Sequence, residues 1–262
     1  MNSNLKLVKN LLEKRSARRK EGKFVIEGPH LIEEALLRSF GASEGKRANI
    51  IEFIVYCKKL PIVKKLEDNG VPVYKVSKEQ FAELSDVEAP QGVLGVVRQF
   101  EHQFLDVFKA AKTLIVFCVG VQDPGNLGTI IRSADAFGAS GVILSKGTVD
   151  LYNPKVVRAT MGSLFHLPII TTEDEKETIG HLKEKNVKIV ATTISAEKTC
   201  SQADLNQPLA ILVGNEGAGL ENEIVKLADE EVKIPMAGQA ESLNVGISTA
   251  VMLYEALKQH GR

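Results

Sequence analysis

The residues of this 262-residue chain best placed to do chemistry lie in three runs, each following an apolar strand and leading into a helix. In the first, residues 121–144, Asp123-Pro124-Gly125 forms a turn and Asn126 is suited to cap a helix. Ile130, Ile131, Ala134 and Phe137 give that helix its apolar face. Arg132 sits on its second turn, too near the start to favour the helix dipole; it is either an ordinary solvated arginine or has another partner. The second run, 209–220, is a five-residue apolar strand, a glycine-rich turn holding Asn215 and Glu216, and a helix opening near Glu221. No Lys-Ser or Lys-Thr follows its glycines and the spacing is not that of a dinucleotide fingerprint, which excludes both nucleotide readings. The third run begins at Ile234 and reads IPMAGQAESLNVGISTAVMLYEAL. Residues 232–236 form a buried strand ending at Pro235, and Ala237, Gly238 and Ala240 are small enough for a ligand to approach the backbone. Ser242 offers an N-cap hydroxyl, and Leu243, Ile247, Val251, Tyr254 and Leu257 recur at helical spacing. The chemistry implied is a small-molecule site at a helix start; the alternative is a well-capped core helix.

The elements that must position these residues alternate. Strands at 113–119, 141–145, 168–171, 187–193, 208–213 and 231–235 interleave with helices at 126–137, 153–163, 174–185, 221–228 and 243–258. That order implies a mainly parallel α/β sheet covered on both faces, with ligands beyond the carboxyl ends of its strands, where all three runs begin. Ahead of it, strands at 23–26, 50–56, 71–76 and 93–97 alternate with helices at 31–40, 61–68 and 78–84. Residues 99–112 read as a helical, polar linker between domains 1–98 and 113–262.

Taken together, the runs NLGTIIRSADAFG, LVGNEGAGL and IPMAGQAESLNVGISTA closely resemble the three motifs of the SpoU (TrmH) branch of the SPOUT RNA methyltransferases, over residues 113–262. The resemblance implies S-adenosylmethionine-dependent methylation of an RNA ribose 2′-hydroxyl, and a C-terminal α/β domain threaded as a trefoil knot. KFVIEGPHLIEEAL and the later GVLGVV look like the L30e-like substrate-binding domain that precedes the catalytic domain in rRNA-type members. This favours rRNA over tRNA as substrate.

By the same resemblance Arg132 is the catalytic arginine, with Asn126, Glu216, Ser242 and Asn244 on the other motif positions. A guanidinium with a pKa above about 12 has no free lone pair, so the expected role of Arg132 is to grip the adjacent phosphate and stabilise developing alkoxide charge. Glu216 is expected to anchor Arg132 or Asn126, and Ser242 and Asn244 to orient RNA or the cofactor loop. Gly214, Ile234 and Leu243 are the best-placed cofactor contacts, with Leu212, Val213, Met236 and Gly238 nearby; for Leu212 and Val213 an apolar-core role is at least as good an account. Arg158, in NPKVVRATMGSLFHLP, lies where the family exposes residues to RNA. A homodimer through the C-terminal domain is expected, with Val245, Met252, Leu253 and Tyr254 broadening the apolar surface of the last helix.

Composition fits this reading. The net charge is zero, yet residues 1–112 carry 20 Lys and Arg against 15 Asp and Glu, and the remainder 13 against 18. The first 23 residues hold 8 basic and 2 acidic side chains, so Arg15, Arg18, Arg19 and Lys20 are expected to contact RNA phosphates, the alternative being a solvated helix face. Cys57, Cys118 and Cys200 are isolated and the five histidines form no metal-ligand cluster, so neither disulfides nor a metal is expected. No apolar run is long enough to span a membrane and no signal-peptide core is present, which points to a cytoplasmic protein. A catalytically inactive RNA-binding homologue would not need the whole polar set, and a nucleotide-dependent oxidoreductase would need a GxGxxG unit that is missing.

Overall fold

The computed structural model describes residues 3–40, 49–85 and 87–261. In chain order these form α1 (Ser3–Glu13), α2 (Arg15–Glu21), β1 (Lys23–Glu27), α3 (Pro29–Phe40), β2 (Ile51–Tyr56), α4 (Pro61–Asp68), β3 (Val73–Lys75), α5 (Lys78–Ala82) and β4 (Val93–Arg98). There follow β5 (Leu114–Cys118), α6 (Pro124–Ala136), β6 (Gly141–Leu144), α7 (Pro154–Ala159), β7 (Ile169–Thr171) and α8 (Glu175–Glu184). The chain ends with β8 (Lys188–Thr192), β9 (Leu209–Val213), α9 (Asn222–Val225), β10 (Glu230–Val232) and α10 (Val245–Gln259); short 3₁₀ turns lie at Phe104–Phe108 and Ser163–Phe165. They group into two units, one of Met1–Phe100 with Asp150–His166 and the other of Glu101–Val149 with Leu167–Arg262.

The first unit is built on a sheet of order β1-β4-β2-β3, in which β4 runs antiparallel to both β1 and β2, and β3 parallel to β2. Leu5, Val8 and Leu11, three residues apart on α1, place one apolar stripe against Phe53, Val55, Phe81 and Val96. Lys14 is extended and breaks the helix from α2. This bend is fixed by Arg18, which is buried rather than solvated. Its Nε and Nη2 donate to Asp150 Oδ2 at 2.8 and 2.6 Å, and its Nη1 to the Leu11 carbonyl at 2.7 Å. The expectation that Arg18 reaches for RNA phosphate is therefore corrected: its charge is spent inside the unit, while Arg15, Arg19 and Lys20 are exposed.

The pattern of strands and helices places residues 150–166 in the catalytic half, but their apolar side chains pack with the N-terminal elements. The Tyr152 ring lies 4.7 Å from Phe24, Phe165 lies 5.7 Å from Phe100, and the Arg38 guanidinium stacks 5.2 Å over Phe100. The helix expected over 153–163 stops at Ala159 because Met161 and Gly162 adopt positive φ.

The second unit holds a six-stranded sheet of order β10-β8-β9-β5-β6-β7, with every pairing parallel. Every residue of β5 and β9 is buried, as a sheet covered on both faces requires. The stretch 99–112 is no free polar linker: Val107 is fully buried against Ile115 and Ile143, and so close to Gly141 that a Cβ there would meet it at 2.6 Å. The strand expected over 231–235 spans only Glu230–Val232; Lys233 makes a single bridge to Thr199, and the chain then leaves the sheet. Met252 and Leu253 are fully buried within this unit, so the apolar surface of α10 is carried by Ile247 and Tyr254 instead. Among the described residues no helix is long and apolar enough to cross a membrane, and no group of three His, Cys, Asp or Glu could hold a metal ion.

Removing one partner of a buried, hydrogen-bonded ion pair leaves an uncompensated charge and costs about 3–5 kcal/mol. Arg18→Ala is expected to lose stability on that scale in urea unfolding, whereas Arg15→Ala, at an exposed position, stays close to the parent. Equal curves for the two variants would show that the Arg18–Asp150 pair carries no stability.

Candidate active site

Three loops converge beyond the carboxyl ends of β5, its neighbour β9, and β10. The first leaves β5 and enters α6. Asp123, not Asn126, is the N-cap: its Oδ1 accepts from the Asn126 backbone N–H at 2.8 Å, with Pro124 in the first turn, where its missing N–H costs nothing. Asn126 is thereby freed to use its side chain elsewhere. The second loop leaves β9, and Asn215 builds it. Its Oδ1 accepts from the backbone of Gly217 at 2.9 Å and Ala218 at 3.0 Å, while its Nδ2 donates to the Gly120 carbonyl at 3.0 Å, tying this turn to the first loop. Only glycine fits at 214, since a Cβ there would fall 2.3 Å from the Gly219 backbone.

The Glu216 carboxylate closes the constellation. Its Oε1 accepts from Asn126 Nδ2 at 3.0 Å and from the Asp123 N–H at 2.9 Å; its Oε2 accepts from the Gln122 N–H at 3.1 Å. Partial burial alone would raise its pKa. The Asn126 amide and the two backbone N–H groups favour the ionised form more strongly and hold the carboxyl below the ordinary glutamate range. Asn126 Oδ1 in turn accepts from Asn244 Nδ2 at 2.8 Å. Asn244, and not Ser242, caps α10, its Oδ1 accepting from Gly246 at 2.9 Å and Ile247 at 3.3 Å. Gly246 lets α10 approach α6 closely, because a Cβ there would sit 3.0 Å from Thr129 Cγ2.

Of the residues singled out from the sequence, Asn126, Glu216 and Asn244 are brought into one hydrogen-bonded chain. Arg132 is exposed on α6 and makes no hydrogen bond or ion pair with a described residue, so Glu216 anchors Asn126 and not Arg132. Ser242 is exposed and unbonded. Leu212 and Val213 are buried in β9, which leaves their side chains to the core. Arg158 is half-buried on α7, in the other unit. Two residues that build the site, Asp123 and Asn215, were placed in turns by the sequence reading but given no role there. The signals were present: an Asp-Pro step at a helix start, and an Asn whose side chain can bond the backbone two residues on.

The loop ahead of α10 has the character of a ligand cradle. Residues 234–243 make no hydrogen bond with described residues, leaving their backbone groups unengaged. Met236 and Leu243 are exposed apolar side chains, and Gly238 faces open space. Unengaged amides, apolar side chains and the narrow Gly214 turn fit a cofactor with a flat apolar ring and polar edges, held mostly by backbone.

Fold and loops thus define a parallel α/β domain that takes a small ligand beyond its strand ends. Family models match in both halves of the chain: the SpoU rRNA Methylase family over residues 113–254 and the MRM3-like substrate binding domain over residues 2–95. The 23S rRNA (guanosine(2553)-2′-O)-methyltransferase RlmP of Bacillus subtilis is 35% identical over 93% of this chain and 92% of its own length. The SpoU methyltransferase AviRb from Streptomyces viridochromogenes, solved with AdoMet, superposes with a TM-score of 0.86 at 30% identity, covering 99% of this chain and 98% of its own. An AdoMet-bound rRNA methyltransferase from Sinorhizobium meliloti gives a TM-score of 0.83 at 33% identity, covering 98% and 95%. The chain belongs to the SpoU rRNA methylase family.

A carboxyl whose pKa is depressed on folding adds stability that is present above its unfolded pKa and lost as pH falls through the folded value. Stability of the parent is expected to fall as pH drops through and below the ordinary glutamate range. Glu216→Gln is less stable at neutral pH and flatter across that window. Parallel pH profiles in chemical denaturation would contradict this account of Glu216.

Proposed function

We propose that this protein methylates a ribose 2′-hydroxyl of large-subunit ribosomal RNA, working as a homodimer in the cytoplasm with its C-terminal part threaded as a trefoil knot. It is an RNA ribose 2′-O-methyltransferase that uses S-adenosylmethionine. The observation that carries the reading is the joining of Asn126, Glu216 and Asn244 beside a loop of unengaged backbone in a SpoU family chain. The rRNA assignment is supported by RlmP, named for 23S rRNA, and by the substrate-binding family model over residues 2–95.

Bound S-adenosylmethionine supplies an electrophilic methyl group together with its leaving group, so the protein's task is chiefly to position the 2′-oxygen in line. Gly214, Ile234, Met236, Gly238 and Leu243 hold the cofactor, mainly through backbone groups and the two exposed apolar side chains. Arg132 has the reach and the unengaged fork to hold the phosphate beside the target ribose and to stabilise charge on the 2′-oxygen as its proton passes to solvent water. It keeps its own proton throughout. Ser242 orients RNA at the mouth of the loop, and the Glu216–Asn126–Asn244 chain fixes the frame. Residues 1–98 engage RNA, with exposed Arg15, Arg19 and Lys20 and half-buried Arg158 on phosphates. Ile247 and Tyr254, exposed on α10, support the dimer.

Arg132→Ala is expected to abolish methyl transfer to an rRNA substrate while titration calorimetry finds S-adenosylmethionine affinity nearly intact. Arg132→Lys rescues poorly, because a point charge does not reproduce the fork. Near-normal turnover in Arg132→Ala would refute the assignment. For RNA binding, the triple variant Arg15→Ala, Arg19→Ala, Lys20→Ala is expected to weaken filter binding and flatten its salt dependence by a slope of roughly one per lost contact. Identical slopes in the two proteins would place these side chains on a solvated face.

A further inference from the structure

The turn after α7 combines two properties that packing within the first unit does not call for. Met161 has φ 49°, a left-handed conformation that residues other than glycine and asparagine rarely adopt, and the residue is 49% exposed. Glycine would meet the backbone demand without strain, and a polar residue would meet the solvent. A flexible apolar side chain held at that point is open to contact from outside the chain.

The turn is held rigidly from one side. His30 Nε2 lies 3.0 Å from the Met161 carbonyl oxygen, Arg38 Nη1 donates to the Phe165 carbonyl at 2.9 Å, and His166 Nε2 lies 2.9 Å from Glu34 Oε2. The Glu34 side chain also covers Gly162, where a Cβ would approach it to 2.7 Å. His30, Glu34 and Arg38 stand four residues apart on α3, so a single helix face clamps the whole turn. On α7, six residues before Met161, the Lys155 side chain is exposed. Proteins that hold single-stranded nucleic acid combine side chains that lie on base faces, usually aromatic, with cations that follow the backbone; this turn and the start of α7 offer an exposed side chain that can lie on a base and an exposed cation on one short segment.

We propose that Met161 is a nucleobase contact, its thioether held against the face of an unstacked base of the RNA substrate while Lys155 meets the neighbouring phosphate. The inference rests on the RNA methyltransferase reading above. A polarizable, unbranched side chain makes favourable contact with an aromatic face and adapts to any base, so this contact holds the strand and leaves the choice of nucleotide to other groups. His30, Glu34 and Arg38 are positioning residues that keep the turn in place.

The test uses the full-length protein, an unmethylated 23S rRNA transcript and radiolabelled S-adenosylmethionine. Met161→Gly removes the side chain and accepts the backbone angle without strain, so the variant stays folded. Its KM for the transcript is expected to rise about three- to tenfold, the loss of one sulfur–aromatic contact, with kcat and S-adenosylmethionine affinity unchanged. Met161→Leu should recover part of the loss. An unchanged KM in Met161→Gly overturns the proposal, and so does a raised KM accompanied by lost cofactor affinity, which would mark a structural role. A parent protein that neither binds nor methylates the transcript defeats the rRNA reading itself, and the proposal with it.

Discussion

Hydrogen bonding within a parallel sheet fixes its strands but leaves the loops beyond their ends undetermined, and three such loops must meet for this site to exist. The Glu216 carboxylate supplies the missing constraint. It draws two backbone N–H groups of the β5–α6 loop and the amide of Asn126 onto its two oxygens. An amide donates at one end and accepts at the other, so once Nδ2 of Asn126 is committed to a carboxylate its oxygen can only accept, and Asn244 provides the donor. Asn244 spends its own oxygen on the first N–H groups of α10. The start of the last helix is thus referred, through two amides in a fixed order, to one charge on the turn after β9.

The first unit depends on a different electrostatic arrangement. A guanidinium can be buried only when nearly all its donors are satisfied, and Arg18 achieves this with one carboxylate oxygen and two carbonyls at the end of α1. The remaining cations of α1, α2 and the break between them, Lys6, Lys9, Lys14, Arg15, Arg19 and Lys20, stay exposed. One buried cation therefore fixes the bend between two helices that carry a basic surface, and the residue that holds the bend is not one of those that make the surface.

Much of this was legible in the sequence. The apolar runs of β5 and β9 and the helical spacing of α6 and α10 follow from burial on both faces of a sheet or on one face of a helix. The helix starts were misread because two capping residue types stand close together at each. At α6 Pro124 decides, since it is tolerated only in the first turn. At α10 the close approach of Gly246 to Thr129 decides, a tertiary fact that no local pattern carries. β10 is shorter than its apolar run because it has one neighbour, β8, and pairing ends with it. Arg18 could not be told from Arg19 by any local rule, as its partner Asp150 lies 132 residues away.

The grouping of Asp150–His166 with the N-terminal elements means that the chain passes between the two units three times. During synthesis the first unit cannot finish folding when its last strand, β4, emerges. It must wait with the α1–α2 bend unsecured and Phe24 and Phe100 uncovered until a segment made much later arrives. A nascent chain stalled in that interval displays a buried-type arginine and an aromatic cluster to the solvent, the kind of surface that chaperones hold.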